Sequence, residues 1–232
     1  MRERIPLARP DVTDAERRAV LEVLETPYLS LGPRLAEFEE ALAAVAGTRH
    51  AVAVNSGTSA LHLVVRALGL GPGDEVVTTP FSFVASANCL LFEGATPVFA
   101  DIDPVTLNLD PARAEAAVTP RTRAILAVDV FGLPAEWDAL REVARRHGLA
   151  LIEDAAEAIG ASYRGRPAGG LGDAGVFAFY PNKQVTTGEG GAVLTDDAGV
   201  AALCRSLRSQ GRDPGDGWLE HSRLGFNYRI SD

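Results

Sequence analysis

Ala53-Val54-Asn55-Ser56-Gly57-Thr58-Ser59-Ala60-Leu61 is the stretch on which the reading of this chain turns. An apolar strand runs out at Val54, a tight Ser-Gly-Thr turn follows, and a helix begins. Its apolar residues Leu61, Val64, Val65 and Leu68 recur with helical period, and Gly69 stops it. The strand-then-helix phrase repeats along the chain. Short apolar runs at 51–54, 75–78, 97–100, 124–128, 149–153, 174–179 and 191–194 read as strands. Trp137, Leu140, Val143, Ala144 and His147 form a second apolar stripe, with Pro134 ahead and Gly148 behind. Most of the other intervening segments are expected to be helices too. Runs apolar on both faces, alternating with amphipathic helices, predict an α/β fold: a mostly parallel seven-stranded sheet with helices on both faces.

Two helices are expected ahead of the sheet. One opens at the capping box Thr13-Asp14-Ala15-Glu16, and the other covers 34–46 before Gly47. A further helix covers 197–209, and the polar, Gly-rich stretch 211–217 reads as a loop. The chain divides into an N-terminal segment and helix (1–30), a large domain (31–210), and a loop with the start of a connection (211–232). Ser231-Asp232 reads as a helix N-cap, so a further domain is expected beyond it.

Bulk properties narrow the function classes. The net charge is −9 and no basic block occurs, so nucleic acid is not an expected partner. No uncharged apolar run approaches a membrane span, and the N-terminus lacks the apolar core of a signal peptide; a cytoplasmic protein is expected. The two cysteines, Cys89 and Cys204, and the four histidines show no metal-ligand spacing, and no metal is expected.

Four motifs could carry chemistry. At Ser56-Gly57-Thr58 the free N–H groups and positive dipole of a helix start offer a phosphate seat; a plain capped turn is the competing reading. Ala150-Leu151-Ile152-Glu153-Asp154-Ala155-Ala156-Glu157 ends an apolar strand in two acids. Alternation points them to opposite sides, so only one can face a pocket at the strand ends. Phe81 and Phe83 follow another strand, where one could stack on a planar ring or pack under the sheet. Lys183 is the only lysine among 22 basic residues. Arginine can replace lysine as a surface cation but not as a neutral amine, so the retained amine points to Schiff-base chemistry with a carbonyl. By contrast, Gly170-Leu171-Gly172-Asp173-Ala174-Gly175 matches G-x-G-x-x-G but precedes an apolar strand. It is rejected as a dinucleotide fingerprint.

Taken in order, a phosphate turn, an aromatic, an acid and a lysine follow four strands of one sheet, as the handles of pyridoxal phosphate require. Here the chain resembles the DegT/DnrJ/EryC1/StrS group of sugar aminotransferases, of fold-type I. The resemblance rests on Asn55-Ser56-Gly57-Thr58-Ser59-Ala60-Leu61, Glu153-Asp154-Ala155-Ala156, Phe179-Tyr180-Pro181-Asn182-Lys183, Thr187-Gly188-Glu189-Gly190-Gly191 and Leu224-Gly225-Phe226-Asn227-Tyr228-Arg229. It covers nearly the whole chain and implies the large domain of that fold, with the family's small C-terminal domain absent.

It also implies roles. Lys183 would form the Schiff base with pyridoxal 5'-phosphate, and Asp154 would pair with the ring nitrogen. Phe83 would stack on the ring, and Gly57 and Thr58 would hold the phosphate. Asn227 would reach the phosphate of the neighbouring subunit of a homodimer. Two positions depart from the family pattern: Ala178, where many relatives carry a phosphate-binding serine, and Glu157, where many carry glutamine near the ring hydroxyl. The implied reaction moves an amino group from L-glutamate to a keto group of a nucleotide-linked deoxy sugar. Lysine at 183 separates the chain from dehydrating members that carry histidine there. Two other readings stand beside this one: a Schiff-base aldolase, and a catalytically silent binding or regulatory module.

Overall fold

A computed structural model describes residues 5–6, 8–213, 215, 217 and 219–232. The sequence reading at residues 1–4, and positions 214 and 216 of the 211–217 loop, lie outside the described residues. Two helices precede the sheet. α1 (Asp14–Leu24) opens on the expected capping box, with the Glu16 carboxylate accepting from the Thr13 N–H at 2.6 Å. α2 (Pro33–Ala46) has proline in its first turn and ends on Gly47 in the left-handed region, φ +65°. Gly32, its N-cap, has no side chain to cap with. Asp232, read from the sequence as a cap residue, caps α2 from the far end of the chain, accepting from the Leu35 N–H at 2.9 Å and the Arg34 N–H at 3.3 Å.

Seven strands form one sheet: β1 (His50–Val54), β2 (Glu75–Thr78), β3 (Thr96–Phe99), β4 (Thr122–Val128), β5 (Ala150–Asp154), β8 (Ala174–Ala178) and β9 (Gly191–Thr195). Two more, β6 (Ser162–Tyr163) and β7 (Arg166–Pro167), pair only with each other. The sheet order is β1-β9-β8-β5-β4-β2-β3. β9 runs antiparallel to both its neighbours, and the other pairings are parallel. Helices α3 (Gly57–Ala67), α4 (Ala85–Phe92) and α7 (Ala198–Arg208) cover one face. α2, α5 (Pro111–Ala116) and α6 (Trp137–His147) cover the other.

The core is therefore double. Val52, Leu126, Ile152, Val176 and Val193 meet Leu61, Val64, Leu90 and Leu207 on the first face. Ile125, Leu151, Phe177 and Leu194 meet Leu42, Trp137 and Leu140 on the second. Full burial of each large apolar side chain contributes roughly 1.5–3 kcal/mol.

One segment differs from the sequence reading. The β3 run at the sheet edge is not buried on both faces: Phe99 is exposed. The crossover from β5 to β8 holds no helix. Residues 155–173 instead form the β6–β7 hairpin between glycines 160, 165 and 169, all at positive φ, where a helix cannot propagate.

Candidate active site

Because β1, β2, β4, β5 and β8 run in one direction, their carboxyl ends open on the same edge of the sheet, where ligands of such folds bind. Asp154 is the last residue of β5 and is only 5% exposed. Its Oδ2 accepts from the Ser86 hydroxyl at 2.7 Å and its Oδ1 from the Ala156 N–H at 3.2 Å. Burial pushes its pKa up; the Ser86 and Ala156 hydrogen bonds and the Lys183 charge pull it back.

Alternation along β5 sends Glu153 the other way. It is buried on the opposite face and accepts from the Gly169 and Leu171 N–H groups, each at 2.6 Å, and from Gly172 at 3.3 Å. The glycine spacing rejected as a dinucleotide fingerprint belongs to the loop that cradles this carboxylate. A Cβ at Gly172 would meet the Leu151 carbonyl at 2.7 Å.

Lys183 follows β8 in a loop closed by the Lys183 N–H donating to Tyr180 O (2.9 Å) and the Thr187 N–H donating to Phe179 O (3.1 Å). Its side chain is 16% exposed, and Nζ donates to Glu157 Oε1 at 2.9 Å. Glu157 therefore turns its carboxylate to the amine. Lys183, Glu157, Asp154 and Ala156 line one pocket of about 410 Å³ with Phe81, Phe83, Phe131 and neighbouring residues. Phe83 is 76% exposed, so it is a wall of that pocket and does not pack under the sheet.

The Ser56-Gly57-Thr58 turn follows β1 on the same edge of the sheet; the turn, Ala178 and Asn227 are outside the lining of this pocket. Ser56 caps α3, its hydroxyl accepting from the Ser59 N–H at 3.1 Å. Among the described residues, no acceptor meets the Gly57 or Thr58 N–H groups. A Cβ on Gly57 would lie 2.7 Å from Cβ of Ala178, so the turn and the end of β8 are in close contact only because residue 57 is glycine. Asn227 is held near the same turn. Its carbonyl accepts from the Asn55 amide at 3.5 Å, and the next carbonyl, of Tyr228, accepts from the Asn55 N–H at 2.9 Å.

Sequence reasoning missed Ser86, Ser82 and Asp129. Asp129 follows the apolar β4 as Asp154 closes β5, so an acid at a strand end was the available signal. It is fully buried and accepts from the Ala135 N–H (2.9 Å) and the Trp137 indole N–H (3.0 Å). Burial, then the Glu153 charge, push its carboxyl up to about 9. Ser82 and Ser86 carried no spacing signal. Among the described residues no cluster of three or more His, Cys, Asp or Glu side chains could hold a metal, and no helix is long and apolar enough to cross a membrane.

A family model, the DegT/DnrJ/EryC1/StrS aminotransferase family, matches residues 10–232. The chain belongs to this family. It is similar to the GDP-perosamine synthase of Caulobacter vibrioides, 49% identical over 99% of this chain and 62% of that protein. The spore coat polysaccharide biosynthesis protein SpsC of Bacillus subtilis is 46% identical over 97% of this chain and 57% of its own length. Among solved structures, Helicobacter pylori PseC, an aminotransferase involved in pseudoaminic acid biosynthesis, superposes with a TM-score of 0.93 at 36% identity, over 99% of this chain and 62% of that one. The chain thus spans about three-fifths of the length of these family members.

The residues present fit the cofactor of this family. Two donor-ready N–H groups and a side-chain-free approach suit its phosphate. A buried carboxylate suits its ring nitrogen, an exposed aromatic face suits the ring, and a largely buried amine suits the aldehyde.

Proposed function

We propose that this chain carries the cofactor-binding core of a pyridoxal 5'-phosphate-dependent aminotransferase. It moves an amino group from L-glutamate to a keto group of a nucleotide-linked deoxy sugar, for polysaccharide or glycosylated-metabolite biosynthesis, and acts as a cytoplasmic homodimer with shared sites. The observation that carries the reading is one pocket at the strand ends lined by both the Lys183 amine and the buried Asp154 carboxylate. The substrate class is supported by relatives: one is named a GDP-perosamine synthase, and the structure of another, DesI, is described with its TDP-sugar product.

When bound, the cofactor supplies an aldehyde for Schiff-base exchange and a ring that accepts electrons. Lys183 supplies the amine that anchors it. With the cofactor in place, Lys183 Nζ would also serve as the base and then the acid that moves a proton at the reacting carbon. Asp154 holds the ring-nitrogen proton. Gly57 and Thr58 hold the phosphate through their N–H groups, aided by the α3 dipole, and the Ala178 methyl lets the backbone come close without adding a hydroxyl. Phe83 covers a ring face, Glu157 holds the Lys183 ammonium, and Asn227 reaches the partner subunit's phosphate site.

The test is glutamate-dependent turnover against a panel of nucleotide-linked keto-sugars in the presence of cofactor. The expected result is a yellow protein that bleaches with glutamate and aminates at least one keto-sugar, and a Lys183→Ala variant that does neither. Colourless protein that traps a keto substrate on Lys183 under borohydride, without cofactor, would move the chain to the aldolase reading.

A further inference from the structure

Two serines ahead of and within the first turn of α4 connect the pocket to the buried acid. Ser82 lines the pocket, and its hydroxyl lies 2.7 Å from the hydroxyl of Ser86. Ser86 is 1% exposed and lies 2.7 Å from Asp154 Oδ2. A hydroxyl has one proton to give. An ionised carboxylate can only accept, so the Ser86 proton points to Asp154, and Ser82 must then donate to Ser86. The chain of donors has one direction, from pocket to acid.

Local backbone geometry sets this arrangement. The Ser86 N–H donates to Phe83 O at 3.2 Å and the Phe81 N–H to Thr79 Oγ1 at 3.1 Å, which turns the 79–86 segment so that residues 82 and 86 fall on one side. α4 has no side-chain cap at Val84, so neither hydroxyl is taken up by helix capping.

We propose that Ser86 is a positioning residue for the cofactor-ring acid: it keeps Asp154 ionised and aimed at the pocket, and Ser82 fixes the direction in which Ser86 donates. This rests on the aminotransferase reading for its consequence, but not for its geometry. The groups facing Asp154 are few. Lys183 favours its charged form; Glu157 and burial oppose it; Cys89, whose thiol burial pushes up to about 12, stays neutral beside it. With so little positive charge at hand, the two neutral donors on the charged form, the Ser86 hydroxyl and the Ala156 N–H, matter, and Ser86 is the one that a side-chain substitution removes. A hydrogen bond to a charged group is worth enough to move a carboxyl titration by about one pH unit or more.

The test is a carbon-13 titration of aspartate-labelled protein without cofactor, with Asp154→Asn assigning the resonance. The expected result is that Ser86→Ala moves the Asp154 titration upward by about one pH unit or more. Ser82→Ala, which touches Asp154 only through Ser86, moves it upward by less. Ser86→Thr, which keeps a hydroxyl, returns it toward the parent value. An Asp154 titration unmoved in folded Ser86→Ala, or moved more by Ser82→Ala than by Ser86→Ala, overturns the proposal. Adding cofactor gives the second readout: Ser86→Ala is expected to shift the pH dependence of the visible absorbance in the same direction. Because the titration needs no substrate or turnover, its failure is distinct from failure of the aminotransferase reading, which shows as protein that titrates as expected but never bleaches with glutamate.

Discussion

Asp154 is kept at a cost to folding. Its pKa in the folded chain lies above the ordinary carboxylate value because burial opposes the charge. The folded state then binds the proton more tightly than the unfolded one, so stability falls as pH rises from the ordinary value through the folded one. The charged form of this buried acid is a liability that function must justify. Asp154→Asn keeps the size and one acceptor oxygen while removing the charge. It is expected to hold or raise the melting temperature at pH 7, yet lower glutamate-dependent turnover by about 10²-fold or more. Loss of melting temperature together with turnover would make Asp154 a structural residue. The pairing of Glu153 and Asp154 also shows what single residues disclose. That only one acid could face the pocket followed from strand alternation alone. Which one did not, because the choice is made by the backbone donors of Gly169, Leu171 and Gly172, more than fifteen residues further along the chain. Lys183 was legible from composition. Its partner Glu157 was visible as a departure from the family pattern, but the contact between them needed the fold to bring two loops together.

At the scale of elements, the start of α3 is where local sequence said most. Strand, turn, cap and helix are all written within 53–68, since the apolar period changes at Ser56 and the cap is a neighbour in the chain. The 155–173 crossover said least: its apolar residues are mostly alanine, glycines 160, 165, 169, 170 and 172 interrupt it, and its course depends on the Gly169, Leu171 and Gly172 N–H groups bonding to Glu153 of β5. The turn at Gly57 also makes a sharp prediction. A methyl there must enter space held by the Ala178 methyl, at 2.7 Å. Gly57→Ala is expected to destabilise the chain by about 1–3 kcal/mol, offset in part by the better helix propensity of alanine. Cofactor affinity is expected to fall about tenfold as the backbone donors are displaced. Adding Ala178→Gly should recover most of both losses, measured by thermal melting and by absorbance titration with pyridoxal phosphate. No recovery in the double variant would place the strain elsewhere. Ala178→Ser alone is expected to tighten the cofactor a few-fold by supplying one hydroxyl donor.

The whole molecule is tied together by a second pair of acids that takes no part in the proposed chemistry. Asp129 and Glu153 are buried on the sheet face opposite Asp154, and between them they fasten β4, β5, the segment leading into α6, and the 169–172 loop. Burial raises the pKa of both, and two adjacent buried carboxylates cannot both stay charged. The proton belongs on Asp129. Glu153 accepts from three backbone N–H groups that favour its charge, whereas Asp129 Oδ2 has no donor and is satisfied by sharing a proton with Glu153. A group that holds its proton up to about 9 when folded, and gives it up near 4 when unfolded, makes the folded state bind one proton more across that window. Stability therefore declines as pH rises from about 4 to about 9, by up to about 1.4 kcal/mol per pH unit from this group alone, and the slope vanishes above the folded value. Asn at position 129 can offer an N–H where the shared proton lies and a carbonyl where Oδ1 accepts. Asp129→Asn is accordingly expected to fold and to flatten the decline, so that urea midpoints at pH 8 and pH 5 draw together. Asp129→Ala, which leaves the Trp137 indole and the Glu153 carboxylate short of a partner, is expected to lose about 3 kcal/mol or more at either pH. A parent-like slope in Asp129→Asn would mean that the extra proton of the folded chain resides on some other group.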